Sequence, residues 1–234
     1  MALNIQTFKT RALTALVFVI VMMAGLFFNV WSFLVLFFII MTGCLYEFVK
    51  ILQLINGNKY FYYLPLALPY ILLPILMMIN LGVTVNFYTN PHLPAYTISY
   101  SPLIPCAIIF SIWINDTMAY LVGSFIGKTP FSSISPKKTW EGTIGGAILC
   151  MIVIALAGHY IQPAKNIGWQ HWLIIAAICA VFGTLGDLLE SKLKRMADIK
   201  DSGSFMPGHG GFLDRFDSLL IATPFVWLYV KLLF

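Results

Sequence analysis

The sequence predicts an all-α fold: a polytopic transmembrane helical bundle of about seven spans, N-terminus cytoplasmic, forming a single integral membrane domain over residues 1–234. Three observations predict it. Residues of the set AVILMFWYC make up 60% of the chain, only 10% are charged, and the mean hydropathy is +0.87. A soluble domain carries about 45–50% apolar and about 25% charged residues. Apolar segments of helix length recur along the chain, and the basic residues gather on alternate connections between them. So few charges cannot cover a water-facing surface. This excludes a cytosolic globule, a disordered chain and a free nucleic-acid-binding module.

The helix-length segments run approximately over 12–29, 31–49, 61–83, 102–126, 143–161, 171–189 and 216–234. Asn29 and Val30 leave room only for a turn between the first two. The third contains Pro65, Pro69 and Pro74, which predict a kinked helix whose freed carbonyls need neighbouring partners. With the N-terminus inside, the inner connections collect Lys9, Arg11, Lys50, Lys59, Lys128, Lys137, Lys138, Lys192, Lys194, Arg195, Lys200 and Arg215. The outer ones receive only Lys165 and Lys231. Twelve of 14 basic residues inside is a strong positive-inside bias. Lys9 and Arg11 precede an apolar run longer than a signal peptide's ~7–15 residue core, with no small-x-small cleavage site, so a retained signal anchor is expected. Cys44, Cys106, Cys150 and Cys179 all sit in apolar stretches without a CxxC pair and are read as small buried hydrophobes.

The acids point to the chemistry. All nine (Glu47, Asp116, Glu141, Asp187, Glu190, Asp198, Asp201, Asp214 and Asp217) fall on the inner side or near the inner ends of spans. Asp116 and Asp187 lie inside apolar segments, where a carboxylate needs a partner, a cation or a water-filled cavity. A buried ion pair between helices would satisfy them, but polar residues massed beside both favour a functional site. If the sixth span continues as a helix beyond the membrane surface, Asp187, Glu190, Ser191 and Lys194 share one face at i, i+3, i+4 and i+7. Asp214 and Asp217 are likewise three apart at the start of the last span. Two acid pairs on neighbouring helix ends can converge on a hard, oxygen-seeking cation such as Mg²⁺. Lys194, Arg195, Lys200 and Arg215 around them suit a metal-bound polyphosphate better than a lone ion.

Between the acid pairs, the stretch from Met206 to Gly211 supplies backbone that can approach a phosphate, with Gly210 and Gly211 in it. His209 there can serve as a phosphate donor, a proton carrier or a turn residue. A second inner stretch runs from Gly127 through Ser135-Pro136-Lys137-Lys138-Thr139 to Glu141-Gly142. A lipid-headgroup patch or topogenic charge accounts for its lysines, but not for Ser135, Pro136, Glu141 and the glycines. Gly123 stands one residue too close to Gly127-Lys128-Thr129 for a P-loop, and no strand precedes it. Gly123 and Gly127 read instead as a small-residue packing face, shared with Asp116 and Tyr120, which turns Asp116 into the bundle.

At these residues the sequence resembles the phosphatidate cytidylyltransferase (CDP-diacylglycerol synthase) family. The family's C-terminal signature runs unbroken from Ser191 to Asp217, as S-x-L-K-R-x4-K-D-x-G-x2-M-P-G-H-G-G-x2-D-R-x-D. Asn115-Asp116 with Ala119-Tyr120, Ser135 to Thr139 with Glu141-Gly142, and Gly186-Asp187 with Glu190-Ser191 resemble its other blocks. The resemblance covers roughly residues 110–220, with the motif-bearing half at approximately 102–234. The region between spans two and four is shorter than is usual in the family.

The resemblance implies transfer of the cytidylyl group from CTP to phosphatidate, giving CDP-diacylglycerol and pyrophosphate in phospholipid biosynthesis, with Mg²⁺ required and a second cation possible. It implies Asp187 and Asp214 as metal ligands, with Asp217 close by. Together with the residue reading it gives Lys137, Lys138, Lys194, Arg195, Lys200, His209 and Arg215 as catalytic candidates. Asn115, Asp116, Ser135, Glu141, Glu190, Ser191, Asp201, Gly210 and Gly211 are the candidates for substrate binding. The expected partners are CTP from water and phosphatidate from the bilayer, with a homodimer also expected and no nucleic acid. The expected location is the bacterial inner membrane with the active site facing the cytoplasm. A cation-coupled transporter would also use Asp116 and Asp187, but would place polar residues on both membrane faces. A CDP-alcohol phosphotransferase needs the motif D-G-x2-A-R-x8-G-x3-D-x3-D, which is absent. A related membrane lipid kinase is the nearest enzymatic alternative.

Overall fold

The structure, a computed structural model, describes residues 5–87, 96–206 and 210–233, with side chains from residue 12 onward and excepting that of Phe87. The fold is all-α. The helices are α1 (Ile5–Phe27), α2 (Val30–Asn56), α3 (Leu73–Gly82), α4 (Leu103–Ile126), α5 (Trp140–Tyr160), α6 (Trp169–Met196) and α7 (Leu213–Leu233). Among the described residues, five helical stretches are long and apolar enough to cross a membrane: Val30–Leu66, Leu103–Ile126, Trp140–Tyr160, Trp169–Met196 and Leu213–Leu233. Ala12–Phe27 and Leu68–Gly82 are shorter apolar helices at the other two predicted places. Large apolar side chains such as Phe38, Ile148, Ile152 and Val181 stand exposed on the outside of the bundle. That surface suits lipid, not water, and the protein is an integral membrane protein.

Local chemistry sets the breaks. Between α1 and α2 the turn is closed by a reciprocal cap: Ser32 N–H donates to Asn29 Oδ1 at 2.9 Å, and Asn29 N–H donates to Ser32 Oγ at 3.0 Å. On α2, Phe33, Phe37, Ile40, Cys44, Glu47 and Ile51 form one buried stripe at helical spacing. The four cysteines are free and buried. The proline-bearing third segment is broken further than a kink. It runs as a 3₁₀ stretch (Gly57–Leu66, containing Pro65), a π turn (Leu68–Leu72) and then α3, because each proline removes a backbone donor from the α ladder.

One element departs from the sequence expectation. Val83–Phe87 (β1) and Tyr96–Tyr100 (β2) pair antiparallel between α3 and α4. Tyr100 Oη donates to the Leu26 carbonyl at the end of α1, tying the hairpin to the bundle end away from the acids. The alternation of Val83, Val85, Tyr96, Ile98 and Tyr100 with polar neighbours was the strand signal. Apart from Val83, it lay in the connection between the third and fourth predicted spans, to which no element was assigned.

The helices that carry the acids are the closely packed ones. Added to Gly146, a Cβ would lie 2.6–2.7 Å from Ala119, and at Gly142 it would lie 2.7 Å from the Ala119 carbonyl oxygen. Only glycine lets α4 and α5 approach this closely. Gly123 faces Thr139 and Gly142 across the same contact, as its small-residue reading expects. Tyr120 does not share that inward direction: it is 75% exposed, on the rim of the α4–α5 contact rather than in it.

Candidate active site

Gly186 brings the two acid-bearing helices together. A Cβ at this position would lie 2.5 Å from the Asp217 carbonyl oxygen and 3.0 Å from Ser218 Cα, so α6 touches the α7 backbone directly. Asp187 is thereby set beside Asp217. Glu190, one turn further along α6, completes a cluster in which carboxylate oxygens of Asp187, Glu190 and Asp217 all lie within 4.8 Å of one another. Glu190 is fully buried and Asp217 nearly so.

Basic groups partly balance the acids. Lys194 Nζ lies 2.5 Å from both Glu190 and Asp214, bridging α6 to α7. Lys138 reaches in from the loop before α5 and pairs with Asp187, which also accepts a hydrogen bond from Ser191 Oγ at 3.2 Å. Asp217 accepts from the Ser218 backbone N–H at 2.6 Å. Apart from its ion pair with Lys194, neither Glu190 oxygen has a hydrogen-bond partner among the described residues. A buried all-oxygen donor set with under-satisfied lone pairs is the chemistry a hard divalent cation fits.

The cluster opens into a cavity of about 480 Å³ at the bundle end where α6 stops and α7 begins. Asp116, Asp187, Asp201, Asp214 and Asp217 line it together with Lys194, Lys200 and Arg215. Gly203, Ser204, Met206, Gly210 and Ser218 are also in its wall. Opposite charges around one polar chamber suit a bound anion held with a cation.

Asp214 lies in this cavity but is held differently from Asp187 and Asp217. Its Oδ2 accepts from Ser202 N–H and Gly211 N–H, each at 2.8 Å, and its Oδ1 meets Lys194. The expected cation-binding acids therefore separate into two roles: Asp187 and Asp217 join Glu190, and Asp214 ties the α6–α7 loop to Lys194.

The other candidates divide in the same way. Asn115 is buried beside Asp116, and Asp116 lines the cavity. Lys137 is exposed and lies outside the cavity lining, although its neighbour Lys138 reaches Asp187. Ser135 closes a turn by accepting from Lys138 N–H at 3.0 Å through its carbonyl. Glu141 folds back on its own loop, accepting from Lys128 N–H, Thr129 N–H and Thr129 Oγ1. Arg195 is exposed and donates to the Ile199 carbonyl. His209 lies outside the described residues.

Glu47 was not singled out as a site residue. Its carboxylate crosses from α2 to accept from Phe212 N–H at 2.9 Å and Leu213 N–H at 2.8 Å, at the first turn of α7. There it satisfies donors that no helix can satisfy internally and meets the positive end of the helix. Ser202 Oγ sits between it and Asp214, 2.7 Å from one and 2.9 Å from the other. A Cβ at Gly211 would run into the Glu47 carboxylate, so glycine is required there. The signal was its register: Glu47 occupies a core position of the Phe33–Ile51 stripe, where a carboxylate must have buried partners.

The comparisons bear on this half of the chain. The model of the Cytidylyltransferase family matches residues 98–233, which hold every member of the acid cluster and exclude Glu47. The phosphatidate cytidylyltransferase of Bacillus subtilis (strain 168) is 38% identical over 159 residues, 67% of this chain and 57% of the relative. That of Synechocystis sp. is 43% identical over 126 residues, 52% of this chain and 41% of the relative. The chloroplastic phosphatidate cytidylyltransferase 4 of Arabidopsis thaliana is 42% identical over 131 residues, 55% of this chain and 33% of the relative. The matches thus span between a third and somewhat over half of these relatives' own length. With more than half of its residues in the family match, the acid cluster among them, the chain belongs to the cytidylyltransferase family.

Proposed function

We propose that the protein is a phosphatidate cytidylyltransferase, joining CTP and phosphatidate into CDP-diacylglycerol and pyrophosphate. The observation that carries this reading is the Asp187–Glu190–Asp217 cluster, opening into a charged chamber inside the family-matched half. A phosphate oxygen of phosphatidate attacks the α-phosphorus of CTP. The new P–O bond forms as the bond to the β-phosphate bridging oxygen breaks, and pyrophosphate leaves. The nucleophile is already an anion near neutral pH, so positioning and charge neutralisation carry the rate.

Asp187, Glu190 and Asp217 would hold Mg²⁺, and Asp214 would join them only by releasing Lys194. When bound, the cation supplies charge neutralisation at phosphate oxygens. Lys194 keeps Glu190 and Asp214 in place, while Lys200 and Arg215 face the remaining phosphate charge. Lys138 holds the 127–139 loop against Asp187. The same reading puts the chamber on the cytoplasmic face of a bacterial inner membrane, where CTP arrives from water and phosphatidate from the leaflet. The basic residues gathered at this end support that orientation.

The test is direct. Purified protein given radiolabelled CTP, phosphatidate and Mg²⁺ is expected to produce a lipid-soluble nucleotide and release pyrophosphate. A labelled lipid formed from the γ-phosphate of the nucleotide would instead establish the lipid-kinase reading.

A further inference from the structure

Two grooves flank α1 and meet at the mouth of the charged chamber, the first almost wholly apolar and the second lined by apolar residues together with Asp116, Thr117 and Arg215. The first, about 370 Å³, lies between α1 and α2; Val17, Val21 and Met22 line one side and Leu36 and Ile40 the other. Phe205, Phe212 and Phe216 close its chamber end. The second, about 430 Å³, lies between α1 and α4, with Ala15 and Val19 facing Trp113. Phe18 and Met206 belong to both grooves. Met206 also lines the chamber, as do Asp116 and Arg215 from the second groove. One helix therefore stands between an apolar channel and a mixed one that share a charged outlet.

We infer that α1 is straddled by a two-chain lipid phosphate, one acyl chain in each groove, with its phosphate at the outlet beside Arg215. The inference rests on the lipid-phosphate reading above and adds where the chains lie. Three features commit the grooves to this occupant. They are continuous with the chamber through Met206, the second groove and the chamber share Arg215, with Lys200 further along the chamber wall, and the two grooves lie on opposite sides of one helix. From Leu13 to Met22 the first groove follows α1 for about 14 Å, at ~1.5 Å per residue. That is close to the ~15 Å depth of one leaflet's hydrocarbon.

Lipid tails are as apolar as the groove walls, so moving a chain from bilayer to groove gains little free energy. What the grooves supply is register. With both chains fixed about α1, the phosphate can reach only a small arc of the chamber, and orientation of that kind is worth large rate factors.

The experiment compares chain lengths. Val17→Trp fills the first groove and Val19→Trp the second, while Leu16→Trp adds the same bulk at a position lining neither. With dioleoyl phosphatidate, the two valine variants are expected to lose about 10-fold or more in kcat/KM, and Leu16→Trp nothing. With dihexanoyl phosphatidate, whose chains are too short to fill the grooves, all three should match wild type within about 2-fold. Wild-type rates on dioleoyl substrate in both valine variants, or equal losses on both substrates, would overturn the proposal.

A second readout does not depend on turnover. Phosphatidate carrying a mid-chain diazirine, without CTP, should label α1 and be competed by unlabelled phosphatidate. If wild type made no CDP-diacylglycerol while competed labelling of α1 persisted, the transfer reading would fail and the grooves would stand. Uncompeted labelling spread over lipid-facing positions such as Ile148 and Ile152 of α5 would sink the groove proposal instead.

Discussion

The α6–α7 corner and the 127–141 segment are both rich in charged residues and both carry motifs, yet the bundle treats them differently. At the corner, partners come from other elements as well as from the acids' own helices. Asp187 is met by Lys138, and Asp214 by Lys194, Ser202 and Gly211. Glu190 pairs with Lys194 along α6, and Asp217 accepts from Ser218 along α7. In the other segment, Glu141 at the first turn of α5 accepts from the loop before it, and Ser135 closes a turn within that loop. Lys137 is exposed, and among the described residues only Lys138 reaches the corner. The corner is a cluster fixed from several directions. The loop is a folded arm with one point of contact. A dense motif marks a region; the packing of α6 on α7 marks which of its acids converge.

The sharpest break of this comparison is at the corner. Asp187→Asn and Asp217→Asn should each lower turnover by about 10³-fold, the scale of losing a group that stabilises transition-state charge in a water-poor site. Steady-state assays on protein of normal yield and normal insertion would measure it. Near-wild-type rates in either variant would remove the cluster from the chemistry. Lys194→Met should cost stability as well as activity, because it strands Glu190 and Asp214 together. Leaving a buried charge without its partner costs about 3–5 kcal/mol, to be read as a lowered thermal midpoint in detergent or nanodiscs.

Glu47 tests whether the corner depends on a helix outside the family-matched half. Glu47→Ala should lose roughly 10²-fold in kcat with little change in KM for CTP, since it leaves α7 backbone donors and Ser202 without their acceptor. Glu47→Gln keeps one acceptor oxygen and should recover much of the loss. Equal KM effects, or no rescue by glutamine, would mean that Glu47 does more than hold the loop.

The smallest effects separate the two lysines of the arm. Lys138→Arg should lose about 10-fold in kcat/KM, because a planar fork does not replace a compact ammonium against Asp187. Lys137→Arg should stay within about 2-fold of wild type, since arginine supplies the same charge to an exposed position. The reverse order would show that the arm turns over in the working enzyme.

Much of this was legible in the sequence, for physical reasons. The spans follow from composition, and the i, i+3, i+4 and i+7 spacing of Asp187, Glu190, Ser191 and Lys194 placed them on one helix face, where Ser191–Asp187 and Lys194–Glu190 contacts form. Periodicity describes neighbours within a helix. It does not describe which helix lies opposite, so Glu47, 155 residues from Ser202 along the chain, escaped notice. Spacing put Glu190 in one of the two acid pairs able to converge on a cation, but the site assignment placed it with the substrate residues; its meeting with Asp217 depends on the Gly186 contact between α6 and α7. The β1–β2 hairpin was missed because two five-residue alternating runs in the connection between the third and fourth spans give a far weaker signal than the helix-length apolar runs on either side.

The central claim is that Asp187, Glu190 and Asp217 together bind one divalent cation. Manganese titration of the full chain in nanodiscs, followed by electron paramagnetic resonance, tests it without relying on turnover. The account predicts one class of bound Mn²⁺ that Mg²⁺ displaces, weakened about 10-fold or more in Glu190→Gln and Asp217→Asn and unchanged in Lys137→Arg. Identical Mn²⁺ binding in wild type and Asp217→Asn would contradict it.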